Sequence, residues 1–401
     1  MNKTFKQLSF FAAAAFFMLP LHANAEENEK GTLLQLHQGD LLETPEKFPS
    51  QFTYDSGINI EYPKDGVKGI YVTGHSAGGA KMNQLTDFVN KTSLNAMVVD
   101  IKDDFGDLTF DLQSDDPLVQ KNTKDYVKDP KKMMKSFEDN QIYPIARIVV
   151  FKDTRLAEAK PELTYTNSDG SIWKNGRGEA FVNPFSEEVW TYNVEVAKQA
   201  AKLGFKEIQF DYVRFPEGFE TRSDNLQYTQ GKYKDMDLDD VQKRVEAVTD
   251  FVKYARKELK PYGVDVGVDI FGYSATVPEA PGIGQNFSKI SDNVDVISSM
   301  IYPSHWGSYF GIAKPDLEPY KLVTEYMKAE NKVLDGLKTP PQSRPWLQDF
   351  TASYLGAGNY QQYGAPQVEA QIKALSEAGV NEFLLWDAAN TYSTGVNYDI
   401  K

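Results

Sequence analysis

Carboxylates are the residues of this chain whose types and spacing suggest chemistry. They recur at the ends of short apolar runs: Val99-Asp100-Ile101-Lys102-Asp103-Asp104, Phe210-Asp211-Tyr212-Val213-Arg214-Phe215-Pro216-Glu217, Val268-Asp269-Ile270-Phe271, Leu347-Gln348-Asp349 and Leu385-Trp386-Asp387. Aromatic and cationic side chains occupy equivalent places: Arg147, Tyr302-Pro303-Ser304-His305-Trp306, Trp346 and Trp386. One buried carboxylate is usually a structural hydrogen-bonder. Several on one rim repel each other unless cations or a substrate offset the charge. Arg147, Arg214 and Lys102 are the cations at hand. Two acids in one hollow can divide the work of nucleophile and proton donor.

Residues this far apart in the chain meet only if successive elements return to one place. Eight apolar runs provide for that: Val67–Thr73, Leu94–Ile101, Tyr143–Phe151, Glu207–Phe215, Asp265–Tyr273, Asp295–Tyr302, Arg344–Thr351 and Glu382–Ala388. Each is short, rich in Val, Ile or Phe, and mostly continuous, as strands buried on both faces are. Helical patterns lie between them. Val189, Tyr192, Val196, Ala200 and Leu203 keep 3/4 spacing between Ser186, a candidate N-cap, and Gly204, a stop. Val241, Val245, Val248, Val252, Ala255 and Leu259 do the same before Pro261, and Val368, Ile372 and Leu375 before Gly379.

This alternation favours a single α/β domain, a closed (β/α)8 TIM barrel with a loop insertion after strand three, over an open doubly wound sheet. The insertion, Lys152–Pro184, is expected to cover one end of the barrel, with Trp173, Asn175, Arg177, Phe181 and Asn183 lining a cleft. Active sites of such barrels sit at the carboxyl ends of the strands, which is where the acids stand. Aromatic rings can stack on pyranose faces while acids handle the hydroxyls and the leaving oxygen. The rim therefore reads as a glycosidase pattern.

Composition narrows the alternatives. The 43 Lys+Arg against 57 Asp+Glu give a formal charge of −14, which argues against nucleic acid as a partner. The absence of cysteine excludes disulfides, thiolate chemistry and Cys-ligated metal. Lys3 and Lys6 precede an apolar stretch, Leu8–Leu21, and then Ala23-Asn24-Ala25, the layout of a cleaved secretory signal. The expected organisation is a signal peptide at 1–25, a leader and N-terminal extension at 26–66, and the barrel at 67–401. No membrane span is expected after cleavage, and a cysteine-free secreted protein suits a Gram-positive exterior or cell surface. No G-x-G-x-x-G with a following acid and no calcium-loop spacing occurs, so no cofactor and no metal is expected. The Lys102-Asp103-Asp104 group reads as a salt-bridged turn.

One motif points elsewhere. Gly74-His75-Ser76-Ala77-Gly78 matches the G-x-S-x-G nucleophile elbow of serine esterases. Such an elbow follows several earlier strands, whereas only the short leader at 26–66 separates the expected signal from the first expected strand. A glycine-rich strand-to-helix turn is the plainer reading.

Several segments are family-like: "GIYVTGHSAGG", "LNAMVVDIKDDFGDLTF", "PIARIVVFKD", "EIQFDYVRFPEG" and "MIYPSHW". Together they resemble the bacterial glycoside hydrolase family of secreted (β/α)8 barrels called the DUF4015 group. The resemblance implies the barrel fold and hydrolysis of O-glycosyl bonds. Asp211 is the first choice for nucleophile or charge stabiliser, with Arg214 expected to keep it ionised. Asp269 is the first choice for general acid, its pKa raised by apolar surroundings. Asp100, Lys102, Arg147, Arg214, Tyr302, His305, Trp306, Trp386 and Asp387 are the candidate substrate-binding residues. A cell-wall or extracellular oligo- or polysaccharide is the expected partner. The alternatives are a non-hydrolytic carbohydrate-binding barrel and a serine esterase using Ser76.

Overall fold

Val, Ile and Phe fill both faces of the runs, and strands form where they do. The computed structural model describes residues 52–399; the expected signal and most of the expected leader lie outside the described residues. The strands are β1 (Lys68–Val72), β2 (Ala96–Lys102), β3 (Tyr143–Val149), β4 (Glu207–Asp211), β5 (Asp265–Phe271), β6 (Val296–Met300), β7 (Gln342–Ser343), β8 (Trp346–Gln348) and β9 (Phe383–Trp386). Every pairing among them is parallel, and β9 pairs with β1 to close the ring. β7 and β8 are two pieces of one stave, broken at Arg344-Pro345, where proline has no N–H to give the ladder. The result is an eight-stave (β/α)8 barrel. Its strand residues are nearly all buried, each apolar side chain contributing roughly 1.5–3 kcal/mol.

The helices pack outside. Glu187–Leu203 starts at Ser186 and stops at Gly204, whose φ of 117° a residue with a Cβ would resist. Asp240–Leu259 is capped by the Asp239 side chain, which accepts from the Gln242 N–H. Pro319–Leu334 and Ala365–Glu377 complete the later units. Among the described residues, no helix is long and apolar enough to cross a membrane.

Two departures from the expected strands bear on the site. β4 stops at Asp211 rather than at Phe215, because Tyr212 turns left-handed with φ 52°. β2 carries a bulge between Asp100 and Lys102, which reverses the side on which the later side chains emerge. Between β3 and the Glu187–Leu203 helix the chain forms a short helix, Thr154–Ala159, and antiparallel bridges Lys152–Phe181, Thr164–Val182 and Thr166–Ile172. At the amino end of the barrel, Arg344 reaches across the interior to Glu207 at 2.6 Å and also to Glu382 at 2.8 Å. That end is filled by charge pairs, while the carboxyl end is left open.

Candidate active site

The strand register sets the side chains that face the interior. Asp100 is paired with Arg147, and Arg147 with Gln209, so these point the same way as Asp211 two residues further along β4. Continuing the β4–β5 register by one residue brings Asp211 beside Asp269. Both carboxylates line one cavity of about 760 Å³ at the carboxyl ends of the strands, together with Asp104, Arg147, Arg214, Tyr302, His305, Trp306, Trp346 and Trp386. Its volume is that of an ordinary small-molecule site.

Arg147 organises the floor. Its Nε and Nη2 donate to Asp211 Oδ2 at 2.9 and 2.6 Å, Nη1 to Asp100 Oδ1 at 2.7 Å, and Nη2 to Asp104 Oδ1 at 2.9 Å. Asp100 accepts on its other oxygen from the Tyr71 hydroxyl. The Arg147 guanidinium also lies over the rings of Tyr71 and Trp386, which stack on each other at 4.0 Å. Asp211 Oδ1 accepts from the N–H of Tyr212 at 2.6 Å. A tyrosine in left-handed backbone is strained, and here the strain turns that N–H back onto the carboxylate.

Asp269 is in a different setting. It is 1% exposed, its Oδ1 accepts from Trp346 Nε1 at 2.7 Å, and its Oδ2 is buried without a hydrogen-bond partner. Burial, and next the negative charge of Asp211, push its pKa well above the ordinary carboxylate range. That setting favours the protonated form, and Oδ2 is the oxygen without a protein partner. Asp100 is raised to about 6, chiefly by burial that Arg147 only partly offsets. For Asp104 the crowding also works upward, but Arg147 and Lys152 together outweigh it and hold the pKa at about 2. Tyr302 is buried, and burial first, then the carboxyl groups beside it, raises its pKa above the ordinary phenol value. His305 Nδ1 lies 3.2 Å from Ser304 Oγ; desolvation and the nearby Arg177 lower its pKa.

Eight of the eleven residues singled out from sequence line this cavity: Asp211, Asp269, Arg147, Arg214, Tyr302, His305, Trp306 and Trp386. Three do not. Asp100 lies against Arg147, its carboxylate consumed by that partner and Tyr71. Lys102 leaves the interior altogether: the β2 bulge turns it outward, where it pairs with Asp153 at 2.7 Å and donates to Asn193 Oδ1, fully buried. Asp387 follows the inward Trp386, so alternation turns it away, and it accepts from the N–H groups of Ala389 and Thr391. Arg214 is in the lining but does not hold Asp211. It pairs with Glu217 at 3.0 Å and lies over the rings of Tyr212 and Phe271. The left-handed turn at Tyr212 carries it off, and Arg147 from the neighbouring strand takes its place.

Sequence reasoning missed the role of Asp104 and Lys152. Their pair, at 2.5 Å, closes the charge network, with Lys152 over the Tyr212 ring. The D-D dipeptide after β2 was the available signal. Of the insertion residues expected at a cleft, Arg177 lines the cavity. Among the described residues, no group of three His, Cys, Asp or Glu side chains is placed to hold a metal ion.

The elbow-like motif resolves into packing. Residues Gly74–Gly78 form one helical turn, and the Ser76 N–H is taken by Thr73 Oγ1. A Cβ at Gly78 would stand 1.9 Å from the Tyr126 carbonyl oxygen, and one at Gly74 would stand 2.4 Å from Thr109 Cγ2. These glycines permit close approach of the loop after β2. Ser76 is not in the cavity lining, where His305 stands.

The comparisons with known proteins bear on the fold and the family. A structure of a hypothetical protein from Ruminiclostridium thermocellum is 33% identical, covering 50% of this chain and 96% of its own with a TM-score of 0.43. The PgaB (BpsB) glycoside hydrolase domain from Bordetella bronchiseptica is 14% identical, covering 80% of this chain and 94% of its own at a TM-score of 0.53. A beta-galactosidase from Marinomonas ef1 is 11% identical and covers 80% of this chain and 54% of its own at 0.51. These last two share the fold. Among curated proteins no sequence matches the chain. Residues 69–392 match the family described as "Putative glycosyl hydrolase domain", and the chain therefore belongs to that glycosyl hydrolase family, DUF4015.

Proposed function

We propose that this protein is a secreted glycoside hydrolase that cleaves a cell-wall or extracellular polysaccharide by a two-carboxylate mechanism. The observation that carries the proposal is the unlike electrostatic setting of two acids in one cavity. Asp211 is held by Arg147 and a backbone N–H; Asp269 is buried, raised in pKa and has one oxygen without a protein hydrogen-bond partner. Two carboxyl groups in unlike surroundings within one cavity are how acid and nucleophile roles are divided.

In this reading the protonated Asp269 donates to the glycosidic oxygen as the bond to the anomeric carbon breaks. The ionised Asp211 faces the positive charge that develops on the sugar. The oxygen of a water then bonds to the anomeric carbon while Asp269, left as a carboxylate, takes the proton that water loses, so the hydroxyl stays on the sugar. Arg147 and Trp346 are positioning residues: one fixes the Asp211 carboxylate, the other pins the Asp269 oxygen that does not donate. Tyr302, His305 and Trp386 supply a hydroxyl, an imidazole and a ring face to the sugar.

The experiment is a panel of soluble polysaccharides scored for reducing ends with the wild type, Asp211→Asn and Asp269→Asn. Loss of release in both variants with binding retained is the expected result. Release that survives both substitutions refutes the proposal. Binding without release by the wild type on any polymer would make the barrel a carbohydrate-binding module instead.

A further inference from the structure

Beyond the carboxylates, the cavity has one aromatic wall, and its construction is specific. Tyr273, Trp306 and Tyr309 line it together with Phe271. Tyr273 is 39% exposed and Tyr309 38%, although large rings in contact with one another normally bury each other. Arg177, Glu217 and Glu220 also line it.

Two features hold these rings in place at a cost. A Cβ at Gly272 would stand 3.0 Å from Trp306 Cζ2 and 2.7 Å from the Met300 carbonyl oxygen. Glycine directly after β5 therefore leaves the space that the indole occupies. Beyond the indole, Tyr309 and Ile312 exchange backbone hydrogen bonds around a two-residue turn whose central residues, Phe310 and Gly311, have φ of 51° and 72°. Such turns take Asn-Gly by preference, and a phenylalanine there costs on the order of 1–2 kcal/mol. The Phe310 ring packs at 4.7 Å on Tyr309 and at 5.7 Å on Trp306. The strained residue thus braces the two rings that face the cavity. The Tyr309 hydroxyl is also tied to Thr276 Oγ1 at 2.9 Å, linking the loop after β6 to the loop after β5.

We infer that Tyr273, Trp306 and Tyr309 form an outer sugar subsite, so that the substrate is a chain that extends beyond the sugar held at the carboxylates. The rings match the apolar C–H face of a pyranose, and the charged groups of the same lining match its hydroxyls. This inference rests on the carbohydrate reading of the cavity and adds that the protein grips a polymer segment rather than a terminal sugar alone.

The test uses the full chain and separates binding from hydrolysis. Retardation is measured in gels containing hydroxyethyl cellulose, xylan or glycol chitosan, followed by titration with disaccharide and hexasaccharide of the retained polymer. Tyr309→Ala and Tyr273→Ala alter exposed rings, and the Tm of each is measured to check that it folds; Tyr320→Ala, equally exposed at 39% but outside the cavity lining, is the control. The hexasaccharide is expected to bind the wild type at least about tenfold more tightly than the disaccharide, and each cavity variant to lose roughly three- to tenfold on the hexasaccharide only. The control stays at wild-type affinity. Equal affinity for the two lengths, equal losses on both, or no retardation by any polymer overturns the subsite. If reducing-end release depends on Asp269 while the tyrosine variants bind normally, the hydrolytic reading stands and this inference falls. If the tyrosine variants lose hexasaccharide affinity but the wild type releases no sugar, the subsite stands and hydrolysis falls.

Discussion

Replacing Arg147 with methionine is the most direct probe of how the site is held together. The guanidinium is 1% exposed and makes four hydrogen bonds to three carboxylates, those of Asp100, Asp104 and Asp211. Methionine fills much of the same volume but leaves these acids facing one another and Asp269, with Lys152 serving Asp104 alone. Breaking a buried ion pair by removing one partner costs about 3–5 kcal/mol. For a barrel of this size the cost corresponds to a drop in Tm of about 4–7 °C.

The pH dependence tests the cause. In the wild type, Asp104 has its pKa lowered to about 2, so its pairing stabilises the fold above the ordinary carboxylate range and is lost as pH falls through about 2. Without Arg147 the carboxylate pKa values rise in the folded state only. The native variant then binds protons that the unfolded chain does not, and its stability falls as pH rises toward neutral. Differential scanning calorimetry of both proteins at about pH 5 and about pH 8 should therefore show a larger loss at the higher pH. A loss below about 1 kcal/mol would refute the argument, since that is the scale of an exposed pair. So would a loss of equal size at both pH values. Arg147→Lys should fall between, because an ammonium restores charge but not the fork that reaches three acids.

Three further outcomes are expected. Asp269→Asn should lower reducing-end release by about 10²–10⁴-fold and remove the alkaline fall in rate that deprotonation of the wild-type acid produces; its Tm above neutral pH should equal or exceed the wild type's, because burial opposes the charged form that asparagine cannot adopt. Ser76→Ala should leave both polysaccharide and p-nitrophenyl ester turnover at the wild-type rate in a colorimetric assay, and loss of esterase activity would restore Ser76 as a nucleophile. Gly78→Ala should destabilise the fold by about 1–3 kcal/mol in urea unfolding, because the new methyl would overlap the Tyr126 carbonyl; Gly176→Ala, with open space around the position, is the matched control and should be neutral.

Much of the barrel was legible because its causes are local. Continuous apolar runs marked the staves, and Ser186, Gly204 and the 3/4 spacing between them marked a helix that runs from Glu187 to Leu203. Strand ends were less legible. The apolar run through Val213 and Phe215 continues past Asp211, yet the left-handed Tyr212 ends β4 there. The seventh stave breaks at Pro345, a signal that apolar content alone does not register.

Position along a strand is a property of sequence, and it sufficed to place Asp211 and Asp269 at the open end of the barrel and Arg147 and Trp386 beside them. Partnership is not. A single bulge in β2 sent Lys102 out to Asp153, a single positive φ sent Arg214 to Glu217, and Arg147 from the adjacent strand became the cation that Asp211 meets. Periodicity says which way a side chain points to within one residue, whereas charge pairing, dryness and the fit of a ring against a glycine depend on distances between strands that only the closed barrel sets.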